Sequence, residues 1–192
     1  MMKKYDGFKE LLSKRLDKDR YYHSLCVADE ALRLAEKYGG DTEKCYLAGL
    51  LHDITKNADA EEHLQIFKSF DIMLSVVEKS AQKLWHAISG AAYIENVLKI
   101  DDAEILDAIR YHTTAKADMS LTAKLLYLAD FTSKDRNYPD VSIMRRLVDK
   151  SLDEAFIYAL KYSIIDLTER SKAIHPDTIS AFNQAVFKLE EN

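Results

Sequence analysis

The stretch LAGLLHDITK (Leu47–Lys56) decides how the rest of the chain is read. Its apolar residues predict a buried helix that begins near Thr42. A buried helix has no ordinary use for His52 and Asp53 side by side, because a carboxylate in an apolar interior is costly unless it is paired or bound to a metal. Ala48 and Gly49 are small enough for a neighbouring helix to come close, and Lys56 follows one helical turn after His52. The helix is expected to carry metal-binding groups to an interior site, and the remaining sequence must supply the other ligands.

Working outward, almost every segment predicts helix. Only 5 Gly and 2 Pro in 192 residues leave little material for hairpins. Asp6 can cap a helix to about Leu16, with Phe8, Leu11, Leu12 and Leu16 on one face. The next runs from near Asp19 to Tyr38, buries Val27, Ala31, Leu34 and Ala35, and stops at Gly39-Gly40. Asp59 and Glu62 have capping-box spacing for a helix to about Phe67, and Asp101 and Glu104 for one ending near His112. Between these, Ser69–Lys83 is irregular and Leu84–Leu98 is helical. Ser120 opens LTAKLLYLAD, Asn137–Asp140 is a turn, and Ser151 with Glu154 caps a long helix to about Arg170. Pro176 fits the first position of a last helix with Ile179, Phe182, Val186 and Leu189 as its stripe. The expected fold class is all-α, one helical bundle over residues 1–192, with a core at about 19–136 and C-terminal helices at about 151–191.

Composition narrows the function. A net charge of −5 argues against general nucleic-acid binding, which needs a basic surface. It leaves room for a small anion, because a metal reverses the local sign. No run approaches a membrane span, and the N-terminal MMKKYDGFKELL lacks the apolar core of a signal peptide. Cys26 and Cys45 lie in apolar patterns without CxxC spacing and are expected to be reduced core residues of a cytoplasmic protein. The oligomeric state is open, a homodimer included, since the last helix can pack on the body or on a second chain.

Six polar residues break the amphipathic pattern: His23, His52, Asp53, His86, His112 and Asp130, drawn from five helices. Singly, each histidine is adequately explained as a hydrogen-bonded core residue, and each acid as a cap or ion pair. Together they point to a metal centre. Mixed imidazole and carboxylate donors suit iron, manganese or zinc better than magnesium or calcium, and the absence of cysteine ligands argues against structural zinc. Six donors suffice for two ions sharing one carboxylate, an arrangement that activates water and stabilises in-line displacement. Lys56 and Arg136 lie a short reach from these residues and suit phosphate oxygens. His63 and His175 are expected to be surface or capping residues.

The residues quoted so far carry a resemblance. His23, His52-Asp53 and Asp130 resemble the pattern of the HD-domain metal-dependent phosphohydrolases. The segments YYHSLCVA, AGLLHDITK, LWHAISGAAYI, YHTTAKADMSL, LLYLAD and IHPDTISAFN are similar to the YqeK-type subset. That resemblance implies a di-iron hydrolase cutting diadenosine tetraphosphate symmetrically to two ADP; an HD enzyme acting on another nucleotide or a phosphate monoester is the alternative. It implies that His23, His52, Asp53 and Asp130 hold one ion, that Asp53 bridges, and that His86 and His112 hold the second. It further implies that Lys56, Thr113 and Arg136 contact phosphate, with Asp53, Lys56 and Arg136 in the chemistry and His86 also against the substrate. Two stretches depart from the family pattern: Ser133-Lys134 stands where Glu-Pro is usual, and Ala115-Lys116 where Gly-Arg is common.

Overall fold

The computed structural model describes residues 2–190 and contains eleven α-helices and no strand among them. They are α1 (Asp6–Arg15), α2 (Lys18–Tyr38), α3 (Thr42–Leu51), α4 (Ala60–Ser69), α5 (Val76–Ser80), α6 (Trp85–Asn96), α7 (Ala103–Tyr111), α8 (Leu121–Thr132), α9 (Val141–Lys150), α10 (Leu152–Glu169) and α11 (Pro176–Glu190). Side-chain caps explain most starts. Asp17, Asp41, Asp59, Asp102, Ser120 and Ser151 each accept a backbone N–H of the first turn. Gly39 ends α2 with φ of 72°, a left-handed geometry that a side chain resists.

The central helix is α8. Ala123, Leu125, Leu126, Tyr127, Leu128 and Ala129 are all buried, because α2, α3, α7, α9 and α10 pack around it. The most extensive helix pair is α2 with α3. Gly49 makes it possible: a Cβ there would lie 2.8 Å from Ala28 Cα and 3.0 Å from Ala28 N. That close approach sets α2, carrying His23, against the end of α3, carrying His52.

Four features differ from the sequence expectation. First, α3 does not run through Lys56. It stops at Leu51, and residues 52–57 form successive turns, with Ile54 N–H donating to Leu51 O (3.0 Å) and Lys56 N–H to Asp53 O (2.8 Å). The His52 ring folds back on the Gly49 carbonyl (2.7 Å) and takes up one of the acceptors a helix end leaves exposed. Second, residues 141–150 form α9. Met144 and Val148 are buried four apart on it. Third, the irregular segment contains α5, closed by a reciprocal capping box between Ser75 and Glu78. Fourth, α11 is rotated from its expected stripe. Thr178 donates to Thr114 O (2.7 Å) and Gln184 pairs with Asp118, so Thr178 and Ala181 face inward while Ile179 and Leu189 are exposed.

Candidate metal centre and its cavities

Chain geometry gathers the six polar residues into one cluster. His23 projects from α2, His52 and Asp53 from the end of α3, His86 from the first turn of α6, His112 from the end of α7, and Asp130 from the last turn of α8. His23 Nε2 lies 2.9 Å from Asp130 Oδ1, and these two with His52 form one group that could hold a metal ion. His52, Asp53 and His112 form a second. His86 Nε2 joins it at 3.2 Å from Asp53 Oδ1 and 3.1 Å from His112 Nε2.

Three rings have their proton placed by what lies behind them. A carbonyl or an ionised carboxylate can only accept, so the nitrogen facing it carries the hydrogen. His52 Nδ1 donates to Gly49 O (2.7 Å), His112 Nδ1 to Ile109 O (2.7 Å) and His23 Nδ1 to Asp135 Oδ2 (2.7 Å). The Nε2 of His52 and of His112 is therefore a bare lone pair aimed into the cluster, as a metal ligand requires, whereas His23 Nε2 also faces a carboxylate, Asp130 Oδ1 at 2.9 Å, which raises the His23 pKa against the effect of burial.

The cluster is rich in acceptors and short of donors. His52 Nε2 and Asp53 Oδ1 are buried and make no hydrogen bond. Buried groups of this kind are almost always hydrogen-bonded, so the pair has bonding capacity that the surrounding side chains leave unused. Donor chemistry and geometry together fit a divalent cation. Burial drives the His52 pKa down to about 4 and, helped by His112 and Lys56, holds His86 well below its usual range. Burial opposes ionisation of Asp53 and Asp130. The surrounding His52, His112, Lys56 and His86 outweigh it for Asp53, and Arg136 with His23 outweighs it for Asp130, so both carboxyls stay well below their usual values. Neutral imidazoles and ionised carboxylates are the protonation states that metals bind.

Each half of the cluster faces at least one side-chain cation. Arg136 pairs with Asp130 and lies 3.3 Å from His23 Nε2. Lys56 Nζ lies 2.9 Å from His86 Nε2 and 3.4 Å from Asp53 Oδ1. Burial lowers the Lys56 pKa. Thr113, next to His112, has its hydroxyl buried without a partner at the wall of a cavity. All eight singled-out residues besides Thr113 thus stand in or against one cluster, and Thr113 follows His112 in the chain and lines the neighbouring cavity.

Several contributors carried no signal in the sequence. Asp135 sits within FTSKDR as an ordinary loop acid, yet it fixes the His23 ring. Arg20, one turn before His23 on α2, reaches Asp53 Oδ2 at 3.5 Å. Arg145 on α9 donates to the carbonyls of Thr132 (3.0 Å), Ser133 (2.6 Å) and Arg136 (3.1 Å), which clamps the loop holding Asp135 and Arg136. His63 is not a surface residue: it is buried, bonded to Ser89 Oγ (2.8 Å) and set edge-on to Trp85. His175 is also buried, although its Nδ1 does accept Asp177 N–H (3.2 Å) at the start of α11, the capping part of its expected role.

The two departures from the family pattern replace none of the six clustered side chains, although Ser133 is buried in the loop that carries Asp135. Lys134 is exposed and lies 3.7 Å from Asp29, and Lys116 pairs with Asp107 (2.7 Å) over the Tyr111 ring. Ala115 has φ of 55°, where a glycine is unstrained and a side chain costs about 1–2 kcal/mol.

Comparison with known proteins agrees with this geometry. The profile of the HD domain matches residues 20–135. A Bacillus subtilis protein named bis(5'-nucleosyl)-tetraphosphatase, symmetrical, is 33% identical over 91% of this chain and 94% of its own. A Staphylococcus aureus protein of the same name is 35% identical over 91% of each. A solved Clostridium acetobutylicum structure, titled a predicted HD superfamily hydrolase involved in NAD metabolism, superposes with a TM-score of 0.92 at 33% identity. The match spans 96% of this chain and 97% of that one.

Proposed function

The chain belongs to the HD-domain family, and on that premise we propose that it is a metal-dependent acid-anhydride hydrolase that cuts diadenosine tetraphosphate symmetrically into two ADP. The observation that carries this is the convergence of His23, His52, Asp53, His86, His112 and Asp130, with His52 Nε2 and Asp53 Oδ1 buried and without a hydrogen bond. The names of its relatives supply the substrate class.

His23, His52, Asp53 and Asp130 would hold one ion and Asp53, His86 and His112 a second, with iron the metal and manganese or zinc able to satisfy the same donors. Bound there, two divalent ions supply an activated water and a sink for phosphate charge. The chain's own residues do the rest. A tetraphosphate brings about four negative charges to a chain whose net charge is −5. Lys56 and Arg136, which flank the cluster, neutralise and orient its phosphates, Arg136 as a fork and Lys56 as a point charge. The Thr113 hydroxyl donates to a further phosphate oxygen. His86 bounds the substrate space as well as holding metal. ADP leaves as a stable anion, so the leaving oxygen needs charge neutralisation from these groups rather than a dedicated acid.

In this proposal the whole chain is one HD domain, and Arg170, His175 and Thr178 from its C-terminal part wall the nucleotide space. Cys26 and Cys45 are buried and free, as suits a reducing cytoplasm, and no helix among the described residues is long and apolar enough to cross a membrane. The test is product analysis of purified, iron- or manganese-loaded protein with diadenosine tetraphosphate under reducing conditions. ADP as the sole nucleotide product is expected. ATP with AMP, or no turnover, refutes it.

A further inference from the structure

One cavity opens against the cluster at His86, and a second shares a wall with it. One, of about 420 Å³, is bounded by Arg20, Lys56, His63, Lys83, Trp85 and His86. The other, of about 580 Å³, is bounded by Lys79, Lys83, Thr113, Arg170, Lys172 and His175 among others. Gln82 and Lys83, in the single turn between α5 and α6, line both. His86 borders the first cavity, Thr113 borders the second, and Thr113 directly follows His112, whose Nε2 is 3.1 Å from His86 Nε2.

Charge sets these cavities off from the rest of the molecule. The chain has 27 Lys and Arg against 32 Asp and Glu, yet neither cavity has a carboxylate in its lining. Lys83 and Lys172 form no ion pair among the described residues. The smaller cavity also has an aromatic side, the His63 ring set edge-on to Trp85 at 6.1 Å. Cations at the metal end, aromatic rings further in and a volume of several hundred Å³ are what a nucleoside diphosphate asks of a site.

We propose that the smaller cavity, behind Arg20, Lys56, His63 and Trp85, is a second nucleotide half-site, so that one ADP half of the substrate lies on each side of the Gln82–Leu84 turn. The proposal rests on the dinucleotide reading above and deepens it. Lys83, at the shared wall, contacts phosphates of both halves, and the central anhydride falls at the cluster.

The experiment is calorimetric titration of the manganese-loaded protein with ADP, alongside KM for diadenosine tetraphosphate. Ala60 lines the smaller cavity but is itself exposed at the start of α4, so Ala60→Trp obstructs that cavity without burying a new side chain in the core. Wild type should bind two ADP per chain and Ala60→Trp one. KM should rise about tenfold or more in the variant, the loss of roughly 1.4 kcal/mol of binding. Lys83→Glu, also at an exposed position, should weaken both ADP events. One ADP per wild-type chain with normal symmetrical turnover overturns the half-site and leaves the hydrolase reading standing, as does an Ala60→Trp protein that keeps two ADP and its KM. Absence of both ADP binding and turnover in wild type overturns both.

Discussion

Asp135 offers the sharpest test of how the centre is built. Its Oδ2 accepts from His23 Nδ1 at 2.7 Å, and holds the ring so that Nε2 faces Asp130 Oδ1 at 2.9 Å. Asp135→Ala removes that acceptor and frees the ring to turn or change tautomer. Partners that orient a ligating histidine are typically worth 10–100-fold in metal affinity, or about 1.4–2.7 kcal/mol. Asp135→Asn keeps an acceptor for the Nδ1 hydrogen but loses the charge, so it should fall between wild type and alanine. Competition against a chromophoric chelator reads the dissociation constant directly, and circular dichroism checks that each variant is folded. The expected order of affinity is wild type, then Asn, then Ala. A folded Asp135→Ala protein that binds metal within twofold of wild type would refute the idea that this carboxylate sets the His23 ligand.

Other expectations follow from the same geometry. Lys56→Ala should keep its metal but lose turnover by about 100-fold, the usual cost of removing one group that stabilises developing charge; unchanged kcat removes Lys56 from the mechanism. Gly49→Ala gains about 1 kcal/mol of helix propensity but drives a Cβ to 2.8 Å from the Ala28 backbone. With overpacking costs of about 1–3 kcal/mol, the protein should be destabilised on balance, and a higher melting temperature would contradict the tight α2–α3 contact. In the metal-free protein, burial lowers the pKa of His63 and His86 and takes His52 to about 4. Each contributes stability that is present above pH 6.5 and is lost as pH falls, His52 alone by about 3 kcal/mol. His23 is raised because Asp130 outweighs burial, so it acts in the opposite sense. Three lowered groups against one raised predict a urea midpoint that drops between pH 6.5 and 4; a flat or rising profile would show the sign to be wrong.

Much of the fold is legible in the sequence because local chemistry decides it. Asp59, Ser120 and Ser151 cap helices where short polar residues precede apolar runs, and Gly39 stops α2 because only glycine takes its φ without strain. His23, His52, His86 and His112 stand out because each interrupts an apolar surface. What stays hidden depends on tertiary placement. Asp135 and Arg20 look like solvated charges until the chain brings them to His23 and Asp53. The inward face of α11 is chosen by Thr114 and Asp118, two residues on a distant loop. The end of α3 is hidden for a subtler reason: Ile54 continues the apolar period of Leu47, Leu50 and Leu51, while the His52 ring on Gly49 O and the turn bonds that follow show that the helix has already given way. The α9 stripe, Met144 and Val148, is visible in the sequence, but the role of that helix is not, because Arg145 acts on carbonyls that pattern cannot reveal.

His52 and His112 each close a helix, α3 and α7, with the ring turned back on the carbonyl three residues earlier. One hydrogen bond therefore does two things at once, ending a helix and orienting a ligand. Both helices present their C-terminal ends, the negative poles of their dipoles, to the same few ångströms of space. Folding alone thus builds an electronegative socket whose rings already have the right tautomer. A cation entering it meets little reorganisation and loses little ring freedom, which is the thermodynamic meaning of preorganisation. The same economy makes these positions hard to replace, since any residue that gives up the imidazole must find another way to stop the helix.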